Sequence, residues 1–345
     1  MRIGVLTDPR VPGAVDFAVD AERMGVDSLW VPEVWGYDAL TAMAYLAAKT
    51  ERVSLGTFIV QLVVQLGSRS PALLATSGLS LQQLSGGRFI LGIGVSGPQV
   101  MEGWHGVRFR KPVQATRETV DIIRTISAGE RLSYDGEVYQ LPLPDSTGKA
   151  LRPMVIPEKL PVYIAAMGPR NLELTGEVAD GWIGNAFMPE AADVFFDPIR
   201  TGAARTGRTL ADLDILAPAA VQFVADDAER DAAARGHADG YAFTIGAMGG
   251  AGSNFYADAF SRLGFADEVA TVARLWRDGD KEAAQAAVPV EFGVRTNLIG
   301  TPDEVTDRLR AYADTGVTTL LAKLDGPLDR QRQTIRTLME CVDRM

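Results

Sequence analysis

Cysteine is almost absent from this chain and histidine is rare. The one thiol, Cys341, falls in the last helical run, so no internal disulfide can form and a reducing cytoplasm is the expected setting. Two histidines, His105 and His237, and that thiol are too few for a nitrogen or sulfur cluster, so no metal is expected. Positive charge is also in deficit: 34 Lys and Arg stand against 44 Asp and Glu, a formal charge of −10. Nucleic acid and anionic membrane both select basic patches, and neither is an expected partner. Long hydrophobic runs are missing. The most apolar stretch, Leu55 to Leu66, is broken by glutamines and falls short of a bilayer span. The amino terminus passes from Met1 into a strand-like Arg2-Ile3-Gly4-Val5 without the shape of a signal peptide. No low-complexity segment or internal repeat stands out.

What is present is an alternation of strand-like and helical runs. At 345 residues, 47% apolar and 23% charged, the chain has ample core for one α/β barrel with insertions, although two domains also fit that length. Strands are expected at 2–7, 27–31, 53–60, 89–95, 162–166, 181–185, 213–224 and 318–322. Helices are expected at 11–24, 38–50, 71–84, 113–128, 171–178, 191–206, 302–315 and 328–342. Gly25 and Gly316 close their helices, and Thr301 opens one as its cap. Leu132 to Leu141 alternates about Asp135-Gly136, a hairpin signature. Residues 97–112, 142–161 and 245–254 read as irregular connections. Short strand-to-helix links imply parallel strands with right-handed crossovers. The expected fold is a (β/α)₈ TIM barrel, one domain over 1–345, with insertions at about 97–112, 131–160 and 226–300. A doubly wound open sheet is the alternative.

Ser85-Gly86-Gly87-Arg88-Phe89-Ile90-Leu91-Gly92-Ile93-Gly94-Val95-Ser96-Gly97-Pro98 is the most informative run. Gly92 and Gly94 share one side of a buried strand, where a bare backbone either eases packing in a narrow barrel or receives a flat ligand. Their spacing is not a dinucleotide fingerprint, because the glycines lie within the strand and Pro98 is not expected to open a helix.

In such a barrel, ligands meet the loops at the carboxyl ends of the strands. That rule selects Glu33, Trp35 and Tyr37 after strand two, and Gln61 and Arg69 after strand three. It selects Ser96, Gly97, Gln99, Trp104 and His105 after strand four, Met167, Gly168, Pro169, Arg170 and Asn171 after strand five, and Asn185 after strand six. Gly168-Pro169-Arg170 leads into helix five, where free amides and an arginine suit a phosphate; a plain strand-to-helix turn reads the same way. Arg69 is either a second anion contact or a solvated cation. Glu33 and His105 either exchange protons with a substrate or brace their loops. Trp35, Tyr37 and Trp104 either wall an aromatic ligand or pack the rim.

Taken in order, Ser28-Leu29-Trp30-Val31-Pro32-Glu33, Val53-Ser54-Leu55-Gly56-Thr57, Ser70-Pro71-Ala72, Leu84-Ser85-Gly86-Gly87-Arg88, Leu91-Gly92-Ile93-Gly94, Gly168-Pro169 and Glu177-Val178-Ala179-Asp180-Gly181-Trp182 resemble the luciferase-like flavin and deazaflavin oxidoreductases. Val95-Ser96-Gly97-Pro98-Gln99-Val100, Glu102-Gly103-Trp104-His105-Gly106 and Gly252-Ser253-Asn254-Phe255-Tyr256 further resemble the branch that uses coenzyme F420. The resemblance implies a barrel that binds the deazaflavin at its carboxyl end. The ring would lie on strand three against Phe58 and Ile59, whose shared peptide bond would be cis, with Gln61 and Gly94 nearby. The tail phosphate would fall at Gly168-Pro169. It also suggests a homodimer. Family members that oxidise sugar phosphates carry a histidine where this chain has Val34 and a glutamate where it has Gly97 or Pro98. Some carry a lysine near Met188. Sugar-phosphate oxidation is therefore disfavoured.

The expected function is a cytoplasmic F420-dependent oxidoreductase moving a hydride to or from a small organic substrate such as an enone, imine, ketone or alcohol. The alternatives are an FMN-dependent monooxygenase of the same fold, a non-catalytic flavin-binding barrel, and a cofactor-free phosphate-binding isomerase. The substrate would be set by loops 97–112, 143–160 and 246–256.

Overall fold

The computed structural model describes residues 1–8, 10–33, 35–58, 69–248 and 254–345, together with the backbone of 64–65. Eight parallel strands run β1 (Arg2–Leu6), β2 (Ser28–Pro32), β3 (Ser54–Phe58), β4 (Phe89–Gly94), β5 (Val162–Ala165), β6 (Gly181–Ile183), β7 (Asp214–Phe223) and β8 (Thr319–Lys323). Each pairs with the next, and β8 returns to β1 in the register Arg2↔Thr319 to Val5↔Ala322. The sheet is therefore a closed TIM barrel, and the open doubly wound sheet is excluded.

The main helices are α1 (Ala14–Arg23), α2 (Ala39–Ala47), α3 (Pro71–Ser85), α4 (Pro112–Ser127), α5 (Pro169–Val178), α6 (Asp193–Ala204), α7 (Asp227–Ala247), α8 (Pro302–Thr315) and α9 (Leu328–Asp343). Their ends follow local chemistry. Asp38 and Ser70 accept the first free amides of α2 and α3. Thr301 and Glu304 form a capping box on α8, and Gly316 ends it at φ 104. No helix among the described residues is long and apolar enough to cross a membrane.

Side chains alternate between two cores. Inside the barrel, Trp30, Phe58, Tyr163, Ile183, Leu216 and Leu321 pack together. Trp30 fills its floor, and a Cβ at Gly56 would come within 2.2 Å of its ring. Outward-facing Leu29, Val31, Leu91, Ile93, Leu320 and Ala322 join the larger core under the helices.

The Ser85–Arg88 run proves to be a structural tie. Gly86 closes α3 in the left-handed region. The Arg88 guanidinium then donates to the carbonyls of Ser85, Ala47, Thr50 and Val53 at 2.7–3.1 Å and to the Thr50 hydroxyl at 3.0 Å. One side chain thus joins the ends of α2 and α3 to the start of β3.

Among the described residues β3 and β4 pair at Leu55↔Phe89 and Gly56↔Ile90, after which Val64–Gln65 pairs with Ile93 and Gly94. Thr57 bridges the parting. Its hydroxyl accepts from the Gly92 N–H and donates to the Gly92 carbonyl, each at 2.9 Å. A Cβ at Gly92 would lie 2.1 Å from the Thr57 carbonyl oxygen, so this glycine is required for close packing.

Three expectations need correction. Pro98 does open a helix, Pro98–Gly103, because Gly97 is extended and proline is pre-organised for the first helical position. The run from Ile245 is not irregular throughout: α7 continues to Ala247, while 249–253 lie outside the described residues. The hairpin forms between Tyr134–Asp135 and Gln140–Leu141, but Asp135 is its last strand residue and the turn closes from Gly136 to Tyr139. The buried Glu118 carboxylate sets that turn by accepting the amides of Glu137, Val138 and Tyr139. Burial opposes its charge, but these bonds and one from Gln114 prevail and hold the carboxyl below its ordinary range.

Candidate functional site

At the carboxyl end of the barrel, the loops after β4, β5 and β6 border a cavity of about 730 Å³. Ser96, Gly97 and Gln99 come from the first loop, Met167 to Asn171 from the second, and Gly184 and Asn185 from the third. Phe243 from α7, Met248 just beyond its end, and Phe255 and Tyr256 from the next helix form the facing wall. Trp35 reaches its edge.

Each wall is fixed by identifiable bonds. Asn254 caps the helix Phe255–Phe260 by accepting from Tyr256 and Ala257, while its amide group donates to the carbonyls of Thr244 and Ile245 at 2.9 and 2.8 Å. One side chain therefore fastens the facing wall to α7. Arg262 donates to the Met167 carbonyl at 2.5 Å and holds the β5 loop to the insertion. Tyr256 hydrogen-bonds Asn185, and burial pushes its phenol well above the ordinary range. Asn185 also accepts the Ala186 N–H at 2.8 Å.

Among the described residues, two groups of the lining lack partners. Ser96 sits at φ 59, a left-handed conformation unusual for serine, and its buried Oγ makes no hydrogen bond. Asn171, 9% exposed, presents an unpartnered Oδ1 in the first turn of α5. That helix begins with Pro169 after Gly168, and no side chain caps its start. Pro169 has no N–H and the Asn171 N–H donates to the Gly168 carbonyl at 3.0 Å, which leaves the Arg170 N–H, and with the helix dipole and an apolar cavity beside two buried, orphaned polar atoms this suits an aromatic ligand carrying an anionic tail.

A second group gathers at the end of β2. Arg69 donates to both Glu33 oxygens at 2.7 and 3.2 Å and pairs with Asp38, while Glu33 accepts the Ala39 N–H at 2.9 Å. The Glu33 carboxylate is thus tied to the start of α2. His105 stands close enough to feel the charges of Glu33 and Arg69. Its buried Nε2 has no partner, and burial lowers its pKa.

The structure therefore brings Trp35, Ser96, Gly97, Gln99, Met167, Gly168, Pro169, Arg170 and Asn185 to one cavity. Glu33, Arg69 and His105 form a separate polar group. Phe58 lies inside the barrel, edge-on to Trp30 at 6.4 Å, and Gly94 is buried in β4. Tyr37 and Trp104 are exposed on the surface. Ile59 and Gln61 lie outside the described residues, as does the Phe58–Ile59 peptide bond. The strand-end rule selects nothing from the insertion, so it misses Phe243, and Met248 enters the sequence reading only within the substrate loop 246–256. Phe255 and Tyr256 enter the sequence reading only through a family motif and a substrate loop.

The chain is similar to known proteins in sequence and in fold. Residues 2–319 match the family described as Luciferase-like monooxygenase. The chain is 39% identical over 310 residues, 87% of each protein, to the Mycobacterium tuberculosis protein named "Putative coenzyme F420-dependent oxidoreductase Rv3520c". It is 30% identical over 308 residues, 88% of this chain and 86% of the other, to a 5,10-methylenetetrahydromethanopterin reductase of Archaeoglobus fulgidus. Its fold superposes with a TM-score of 0.76 on the coenzyme F420 dependent tetrahydromethanopterin reductase of Methanopyrus kandleri, at 22% identity, covering 98% of this chain and 96% of that one. This chain belongs to the luciferase-like monooxygenase family.

Proposed function

We propose that the chain is a coenzyme F420-dependent oxidoreductase exchanging a hydride with a small organic substrate such as an enone, imine, ketone or alcohol. The observation that carries the reading is the cavity beside α5, lined by Ser96 and Asn171, whose Oγ and Oδ1 are buried without partners, and by an uncapped helix start. Relatives named for F420 support the choice of cofactor.

In this reading Ser96, Gly97, Gln99, Met167 and Asn185 border the ring, and Gly168, Pro169, Arg170 and Asn171 receive the phosphate and its tail. Phe58 and Gly94 support that bed from within the barrel. When bound, F420 supplies the hydride-carrying carbon of its central ring. The chain contributes orientation and a dry space, closed by Phe243, Phe255 and Tyr256. His105, whose buried Nε2 is unpartnered, manages the substrate proton. Glu33, held by Arg69 and the Ala39 amide, fixes the electrostatic surroundings of that ring. Trp35, Tyr37 and Trp104 shape the substrate's approach. The protein acts in the cytoplasm as a homodimer, and exposed Tyr45, Leu73 and Leu84 on α2 and α3 offer apolar surface for that contact.

Titration with oxidised F420 and with FMN, read by fluorescence quenching, tests the proposal. F420 is expected to bind at least about tenfold more tightly. Preference for FMN overturns this reading in favour of a monooxygenase. Tight F420 binding with no hydride exchange across enone, imine, ketone and alcohol substrates leaves a binding barrel instead.

A further inference from the structure

The coenzyme accounts for one part of the large cavity and leaves another. Among the described residues only two of the lining groups carry a charge, Arg170 and Asp258. Both stand at the α5 end. Arg170 is the second residue of that helix, and Asp258 lies almost one turn beyond Phe255, whose ring is 3.9 Å from where a Cβ at Gly168 would fall. Of the lining left over, Trp35, Val100, Val113, Phe243, Ala247 and Met248 carry no charge. At about 730 Å³ the cavity falls in the upper half of the range for pockets that enclose a drug-sized ligand, so a tricyclic ring leaves room beside it.

Two aromatic rings in that remainder stay uncovered: Phe243 is 42% exposed and Trp35 is 47% exposed. Phe243 and Ala247 are one turn apart on α7 and share a face. Behind Phe243 stands Trp276 of the helix Ala266–Arg277, edge-on, with ring centroids 5.9 Å apart. Trp276 in turn lies directly on the α7 backbone. A Cβ at Gly246 would come within 2.1 Å of its ring, and the Lys281 ammonium covers that ring at 5.5 Å. The space behind Phe243 is thus filled, which keeps the phenyl ring at the cavity wall. Uncovered aromatic area on a wall without charge is stabilised by an apolar ligand, whereas an ion there would lose its hydration and find no partner.

We propose that Phe243, with Met248 and Trp35, forms an apolar specificity wall, so that the substrate carries an uncharged hydrophobic body beside the group that exchanges the hydride. The inference rests on the oxidoreductase reading for the place of the coenzyme in the cavity.

Calorimetric titration of 2-butanone, 2-octanone and 7-oxooctanoate tests it, on protein saturated with F420 and on protein without it. On the saturated protein 2-octanone is expected to bind at least about tenfold more tightly than 2-butanone, whose shorter chain buries less apolar area. It is expected to exceed 7-oxooctanoate, which ends the same chain in a carboxylate, by about tenfold or more. Phe243→Ala is expected to cut the preference for 2-octanone over 2-butanone about fivefold or more, and Phe243→Leu to keep it within about twofold. That ratio separates a wall from a merely structural residue, whose loss would lower both affinities together. Trp35→Ala, in an exposed loop, is expected to cut the ratio severalfold and keeps the test open if the first variant does not fold. The proposal is overturned if the two ketones bind alike to the saturated protein, if the oxo acid binds as tightly as 2-octanone, or if the ratio survives in both alanine variants. A Phe243-dependent preference for 2-octanone in a protein that does not bind F420 preserves the wall and removes the oxidoreductase reading.

Discussion

Replacing Gly202 with alanine is expected to destabilise the chain by about 3 kcal/mol. α5 and α6 cross with their backbones in contact. A Cβ at Gly202 would lie 1.7 Å from the Glu173 carbonyl oxygen, and one at Gly176 would lie 2.0 Å from that of Ile199. Neither obstacle is a side chain that can turn aside, so the helices must separate and the packing around Phe195, Phe196 and Leu172 must open. Gly240→Ala is the control. It lies within α7 with nothing within 4 Å of the added carbon, and gains about 0.5–1 kcal/mol from helix propensity alone. Denaturant midpoints at unchanged slope read both effects, and an unmoved midpoint for Gly202→Ala contradicts the packing account. α5 also carries the proposed phosphate site, so the same contact fixes a wall of the cavity.

Gly168→Asp is expected to lower F420 affinity by about tenfold or more while leaving the fold intact or firmer. Gly168 is the residue before α5, at φ −74 and ψ 142, a conformation any residue adopts, and its added carbon would come no closer than 3.9 Å to Phe255. Aspartate caps helices well, so stability is not lost. Its charge, however, would face the ligand phosphate across a few ångströms, a repulsion of about 1–4 kcal/mol at that range. Gly168→Asn supplies the cap without the charge and is expected to keep affinity within about threefold. Equal quenching titrations for all three proteins would remove the phosphate from this helix start.

The eight strands and their helices are legible because each announces itself locally. Thr301 and Glu304 cap α8, Gly316 ends it, and Gly86 ends α3. What is not legible depends on partners distant in sequence. Gly86-Gly87-Arg88 reads as the turn that precedes strand four, yet Arg88 is spent on the carbonyls of α2 and β3, which no local pattern reveals. Glu33 reads equally as an acid–base group or a brace; its bonds to Arg69, 36 positions away, show the brace, and any catalytic share must act through it. Phe243 lies on a helix that sequence alone assigns to an insertion, and only the folding of α7 over the mouth makes it a wall of the cavity.

Crystals of the chain grown with oxidised F420 test the central claim most directly. The account predicts density for the deazaflavin ring in the cavity between the Ser96 loop and Tyr256, with its phosphate against the amides that open α5. A ring bound elsewhere on the barrel, or a cavity left empty by a saturating concentration of the coenzyme, would contradict it.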